Sequence, residues 1–100
     1  MKLKLTAQQF AALYNIVSAV GHKYQCADMW DKLLYVSITS LYMKLYKMAV
    51  IKKPKYTIRL TDQEAISFFI MYEDHNLPAA SFEGNLITSI TSSIHEKFIV

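Results

Sequence analysis

The sequence predicts an α+β fold, mostly helical, in which a two-stranded antiparallel ribbon packs on four helices. A strand-like alternation followed at once by a helix-capping motif occurs near residue 3 and again near residue 58. A helical pattern with an apolar stripe comes after each occurrence. Only two glycines and two prolines interrupt 100 residues, of which 53% are hydrophobic, so the connections should be short. We therefore expect strand, helix, helix twice within a single domain of residues 1–100, as pseudo-repeats of about 1–54 and 55–100.

Both strands are predicted from an alternation of period two. Residues 2–5 read Lys-Leu-Lys-Leu, and residues 56–60 read Tyr-Thr-Ile-Arg-Leu. Apolar side chains at every second residue place one face of a strand on the core and the other face in solvent. Because a two-stranded ribbon alone is only marginally stable, the helices should cover its apolar face.

Each strand leads into a helix that begins with a predicted capping box. Thr6 and Thr61 suit the N-cap position, and Gln9 and Glu64 stand three residues further on, where their side chains can bond back to the N-cap. Apolar residues then recur at helical spacing. They are Phe10, Leu13, Tyr14, Val17 and Val20 in one helix, and Ala65, Phe68, Phe69 and Tyr72 in the other.

These two helices are expected to end at residues that tolerate the left-handed conformation, Gly21 and Asn76. His22 and His75 would then lie at matching helix ends, where a protonated imidazole interacts favourably with the helix dipole. We therefore expect both histidines to stabilise helix ends and not to act in catalysis.

The helix after the first of these is the longest predicted element, spanning about Ala27 to Val50. It should end before Pro54, because proline disfavours the helical conformation in the residue before it. The fourth helix has a weaker pattern, with Pro78 or Ser81 at its start. The apolar residues of the long helix alternate steps of four and three, which is typical of a helix that packs along its whole length: Leu34, Ile38, Leu41, Leu45 and Met48.

Two interpretations of the duplication stay open. A shift of 55 residues superimposes the two strand-to-helix segments, and a shift of 56 aligns the helices that follow. An internal repeat explains these matches, but so do the ordinary signals of any strand that leads into a helix. Paired strands would favour the repeat, and strands far apart would reject it.

The cysteine content bears on the compartment. The one cysteine, Cys26, excludes an internal disulfide framework and fits a reducing compartment, so a cytoplasmic protein is expected. A secretory signal is the alternative, because two lysines precede an apolar stretch and residues 17–19 resemble a cleavage site. Polar residues interrupt that stretch, and no run approaches the roughly 18 to 20 apolar residues of a membrane span. We expect no membrane association.

The sequence contains no motif that is typical of catalysis, cofactor binding or metal binding. Gly21 and Gly84 stand alone, whereas phosphate-binding loops need several glycines. The acidic and histidine residues 73–75 are adjacent, so on a helix they point in different directions. Cys26 fits a small buried hydrophobe better than a reactive thiol. We therefore expect a protein that is not an enzyme and that has no cofactor and no metal.

The expected function is a non-enzymatic protein–protein interaction or assembly module, with a homodimer as one form. Thirteen aromatic residues and five methionines are many for a chain of this length, and interfaces are enriched in both. The alternative is that the tyrosines complete the core. The residues predicted to contact a partner lie on or beside the long helix, with the lysines at a charged rim: Tyr35, Tyr42, Met43, Lys44, Tyr46 and Lys47.

The second hypothesis is a small nucleic-acid-binding regulatory protein that uses the basic N-terminal half. Residues 1–55 carry nine lysines and two aspartates, whereas residues 56–100 carry two basic and six acidic side chains. Lysines near tyrosines on the long helix can contact phosphates and stack on bases. Arginine, frequent in such surfaces, occurs only at Arg59, which counts against this hypothesis.

Overall fold

The computed structural model of the chain describes residues 1–23, 27–73 and 81–98. In these residues two strands and four helices alternate as strand, helix, helix, twice over. The α+β class with a two-stranded antiparallel sheet is thus confirmed. The elements are β1 (Lys2–Thr6), α1 (Ala7–Lys23), α2 (Met29–Ala49), β2 (Lys55–Arg59), α3 (Asp62–Tyr72) and α4 (Phe82–Phe98).

The two strands form one antiparallel ribbon. Its register runs from Lys2 opposite Arg59 to Thr6 opposite Lys55. In each strand the second and fourth residues are buried and the other three are exposed. The ribbon therefore has an apolar inner face and a polar outer face, as the alternation predicts. The strand predicted at 56–60 begins and ends one residue earlier than expected.

Both predicted capping boxes are present. Thr61 Oγ1 accepts a hydrogen bond from Glu64 N at 3.1 Å, and Glu64 Oε1 accepts one from Thr61 N at 2.9 Å. Thr6 Oγ1 accepts from Gln9 N at 3.2 Å, and Gln9 Oε1 accepts from Thr6 N at 2.9 Å. Each pair satisfies two backbone donors that a helix start would otherwise leave free.

The long helix α2 is slightly shorter than predicted. Asp28 is its N-cap and its side chain accepts from Asp31 N at 2.8 Å, so the helix begins two residues after Ala27. Its last residue is Ala49, with Val50 as C-cap. The predicted seam is confirmed at four positions, all buried, whereas the fifth, Met48, is only partly buried. The four are Leu34, Ile38, Leu41 and Leu45.

The predicted end of α1 at Gly21 is wrong, because the helix continues to Lys23. No described residue has a positive φ angle. Glycine tolerates the left-handed conformation but does not enforce it, so Gly21 stays in the helix. α3 ends at Tyr72 with Glu73 as C-cap.

Several predicted features lie outside the described residues. They are the helix end at Asn76, Pro78, Cys26, and the side chains of His22 and His75. At the start of α4, Ser81 provides the cap, since its Oγ accepts from Gly84 N at 3.0 Å.

One hydrophobic cluster takes side chains from both strands and all four helices of the described part. On the ribbon side, Phe10 stacks on Tyr56 with ring centroids 3.9 Å apart and planes inclined by 14°. α2 contacts α1 and α3, and α4 contacts the same two helices from its own side. The helices therefore cover the inner face of the ribbon and leave its outer face in solvent.

Candidate functional site

The outer face of the ribbon is a strongly basic surface. Its six side chains, which we call the ribbon face, are all exposed, and they include four basic residues and no acidic or apolar one. They belong to both strands, so the charge is spread over the whole ribbon. The ribbon face consists of Lys2, Lys4, Thr6, Lys55, Thr57 and Arg59.

The register brings together basic residues that are far apart in the sequence. Lys2 lies directly opposite Arg59, and Lys4 lies opposite Thr57. Like charges directly opposite each other destabilise a pair of strands. Among the described residues none of the basic side chains of the ribbon face forms an ion pair. These like charges therefore do not stabilise the pairing of the two strands.

A network behind the ribbon ties α2 to the start of α3. Lys44 Nζ donates to Glu64 Oε1 at 2.7 Å and to the Arg59 carbonyl oxygen at 2.6 Å, and Ser40 Oγ donates to Glu64 Oε2 at 2.9 Å. Glu64 is 3% exposed. Burial alone would raise the pKa of its carboxyl, but hydrogen bonds from Lys44, the Thr61 N–H and Ser40, with the Lys44 charge, lower that pKa below its ordinary value.

The six residues predicted to bind a partner fall into two groups. Met43, Tyr46 and Lys47 are exposed, whereas Tyr35, Tyr42 and Lys44 are partly buried. Lys44, expected at a charged rim, is engaged within the chain by the Glu64 network. The binding role of all six stays a prediction.

Tyr42 belongs to a small aromatic group. Its ring lies 5.7 Å from that of Tyr14 and 6.3 Å from that of Tyr46, measured between centroids. Hydrogen bonding with Tyr42 raises the pKa of Tyr14 above its ordinary value, with smaller effects from burial and from the neighbouring tyrosines. This group bridges α1 and α2 at the edge of the core.

The side of α2 opposite its buried seam is also apolar. Among the described residues, seven of the ten exposed large hydrophobic residues lie on α2 or on its C-cap. Five of them follow one line along the helix with spacings of four, three, seven and seven, and Tyr46 flanks that line. Trp30 lies one turn before Leu34, on the side of the seam. We call the other six the outer face of α2: Met29, Leu33, Val36, Met43 and Val50, flanked by Tyr46.

A cleft of about 380 Å³ lies between α1, the end of α2 and β2. The Tyr56 hydroxyl donates to the Ile51 carbonyl oxygen at 3.1 Å and accepts from Lys53 N at 3.0 Å, which fixes the connection beside the cleft. The volume of the cleft is at the low end of the range for ligand pockets. The lining includes no carboxylate, histidine, cysteine or hydroxyl nucleophile besides tyrosine: Ala7, Phe10, Ala11, Tyr14, Asn15, Ala49, Lys52, Lys53 and Tyr56.

Within residues 1–23, 27–73 and 81–98, no three side chains of the histidine, cysteine or carboxylate type come together as metal ligands. In the same residues no helix combines the length and the apolar character needed to cross a membrane. No protein-family model, curated protein or solved structure matches the chain. The interpretation of function therefore rests on the surfaces described above.

Sequence reasoning missed the ribbon face as a site. Only the apolar members of the alternation in residues 2–5 and 56–60 enter the prediction, which assigns the basic surface to the N-terminal half as a whole. The missed signal is the identity of the alternate residues, which are lysine, arginine or threonine in both strands. Two strands with basic outer residues, once paired, necessarily form one basic surface.

Proposed function

We propose that the protein binds duplex DNA through the ribbon face and acts as a small non-enzymatic regulatory protein. The observation that carries this proposal is a two-stranded ribbon whose solvent side holds four basic side chains, two threonines and no acid. Lysine and arginine side chains that neutralise phosphates supply most of the affinity for nucleic acid. Unlike the tyrosine and lysine residues of α2, these six side chains share one continuous face.

The shape of the ribbon favours the major groove of B-form DNA. That groove is about 12 Å wide and admits a two-stranded ribbon, whose strands lie about 4.8 Å apart. The side chains of the ribbon face suit the base edges in this groove, since arginine forms hydrogen bonds with guanine and the threonine hydroxyl does so with several bases. The major groove of A-form RNA is too deep and narrow for side chains to reach the bases, so DNA is the better partner.

We further propose that the two strand-helix-helix units are an internal repeat within a single domain. The shift of 55 residues that superimposes their starts carries Leu3 onto Ile58. These two residues are paired in the ribbon, as a twofold axis through that pair requires. Matching capping boxes at Thr6 and Thr61 support the same proposal. A pseudo-symmetric ribbon should select DNA sites that are approximately palindromic, and selection from a random duplex library would test this.

Fluorescence anisotropy with a labelled 20-base-pair duplex tests DNA binding directly. Four basic contacts to phosphate give a slope of log K against log salt of up to about −3.6, at roughly −0.9 per phosphate neutralised. Lys4→Ala and Arg59→Ala should each weaken binding by about tenfold or less and make the slope shallower by about one. Lys97→Ala, which removes an exposed lysine of α4, is the matched control and should leave binding unchanged.

Two results would reject the proposal. One is the absence of binding at 20 mM salt and high micromolar protein. The other is binding that Lys4→Ala and Arg59→Ala leave as strong as in the unsubstituted protein, which would locate the DNA contact elsewhere.

A second candidate function, assembly with another protein, is favoured by the outer face of α2. A helix that is apolar on two opposite sides is normally covered on both. In this chain the core covers only the seam through Ile38. A cytoplasmic location is proposed with either function, and it is supported by the single cysteine of the sequence.

A further inference from the structure

We propose that the outer face of α2 pairs with the same face of a second copy of the chain, the two helices running antiparallel. The twofold axis would pass between Thr39 and Ser40, the midpoint of the outer face. This inference rests on the assembly function proposed above, and it is independent of DNA binding.

The outer face of α2 is complementary to itself in this arrangement. About an axis between residues 39 and 40, Val36 lies opposite Met43 of the second copy at the centre of the contact, while Leu33 and Tyr46 lie at its two edges. At the ends of the face, Met29, which is 85% exposed, meets Val50, which is 77% exposed. The line of apolar side chains is thus covered by the second copy along about 30 Å of helix, at 1.5 Å per residue.

Charge complementarity favours the antiparallel over the parallel arrangement. The start of α2 carries Asp28 and Asp31, and its end carries Lys47, followed by the lysines at 52–53. Antiparallel pairing places the acidic start of one helix beside the basic end of the other. Parallel pairing brings like charges and like helix dipole ends together. Lys32 offsets only part of the negative charge at the start of α2.

The area is adequate for a reversible dimer. A large side chain offers roughly 150 Å² or more when fully exposed, so the six of the outer face, which are about half exposed or more, present roughly 500 Å². A standard interface buries about 800 Å² on each partner, and monomers rarely expose apolar patches larger than about 300 to 600 Å². We therefore expect a dimer that dissociates in the micromolar range.

Disulfide trapping in the full chain, with Cys26→Ser as background, tests the geometry. In the antiparallel pair, a Val36→Cys chain should cross-link with a Met43→Cys chain under mild oxidation. Neither variant should cross-link efficiently with itself, because the two copies of residue 36 would lie about 10 Å apart along the axis. Disulfides need Cα atoms closer than about 7 Å. Self-cross-linking of each variant alone would overturn the antiparallel arrangement.

Sedimentation across a concentration series separates this inference from the assembly function. The unsubstituted protein should dimerise, and Met43→Glu should weaken the dimer at least tenfold. Ile66→Glu, which charges an exposed apolar residue of α3, is the control and should leave the dimer intact. A strict monomer at 200 µM would overturn both assembly by self-association and this inference. A dimer insensitive to Met43→Glu would overturn this inference alone, because the chain would then assemble through another surface.

Discussion

Replacing Lys44 with methionine tests the buried carboxylate that ties α3 to α2. The substitution keeps most of the side-chain volume but removes the ammonium group that lies 2.7 Å from Glu64 Oε1. The Glu64 carboxylate then keeps only the Thr61 N–H and the Ser40 hydroxyl as donors. The protein would hold a buried negative charge without a counter-charge.

The expected loss follows from the exposure of the two partners. Removing one partner of a fully buried ion pair costs about 3 to 5 kcal/mol, and a hydrogen bond to a charged group contributes about 1.5 to 3 kcal/mol. The Lys44 side chain is 33% exposed, so water can replace part of its interaction. We expect Lys44→Met to lower the free energy of unfolding by about 2 kcal/mol at pH 7, out of the usual 5 to 15 kcal/mol.

Urea denaturation followed by circular dichroism, at pH 7 and at pH 3, measures this loss and its pH dependence. The pKa of Glu64 is lowered in the folded state, so its stabilisation is present above the unfolded pKa of about 4.3 and is lost as the pH falls through the folded value. The effect of Lys44→Met should therefore be smaller at pH 3. Lys47→Met, an exposed lysine three residues further along α2, is the control and should change stability by less than about 0.5 kcal/mol. An equal effect of the two substitutions at pH 7, or no decrease at pH 3, would refute this account.

Four further predictions concern stability and are measured by the same denaturation assay. Thr61→Val should cost about 1 kcal/mol by removing the N-cap of α3, and an unchanged midpoint would contradict that role. Ile38→Ala should cost about 2 to 5 kcal/mol because the side chain is buried, whereas Ile66→Ala, at an exposed site, should cost far less; similar values would mean that the buried face is misassigned. Tyr56→Phe should cost about 1 kcal/mol because its hydroxyl makes two hydrogen bonds. Tyr72→Phe should be neutral or stabilising, because the buried Tyr72 hydroxyl has no hydrogen-bond partner among the described residues. Burial also raises the pKa of this hydroxyl well above the ordinary value. A clear loss of stability would show that the hydroxyl has a partner.

The features that depend on neighbours along the chain can be predicted from the sequence alone. The alternation in residues 2–5 requires an apolar and a polar strand face in any fold. The Thr61 and Glu64 capping box forms within one helical turn, so its three-residue spacing is enough to predict it. The buried seam through Ile38 follows from helical periodicity alone. The end of α1 was missed because Gly21 permits a helix end and does not require one.

Which side chains share a surface depends on the tertiary structure. Lys2 and Arg59 are 57 positions apart, and the antiparallel register alone places them opposite each other. The sequence places Lys44 beside exposed residues, yet packing of α3 against α2 brings it to Glu64 and removes it from the free basic surface. Both sides of α2 are apolar, and only the packing of the other elements shows that the side opposite the buried seam stays exposed. Contacts between segments that are distant in the sequence decide these features, and a local sequence pattern does not encode such contacts. The same contacts leave the ribbon face and the outer face of α2 exposed while the other faces are buried.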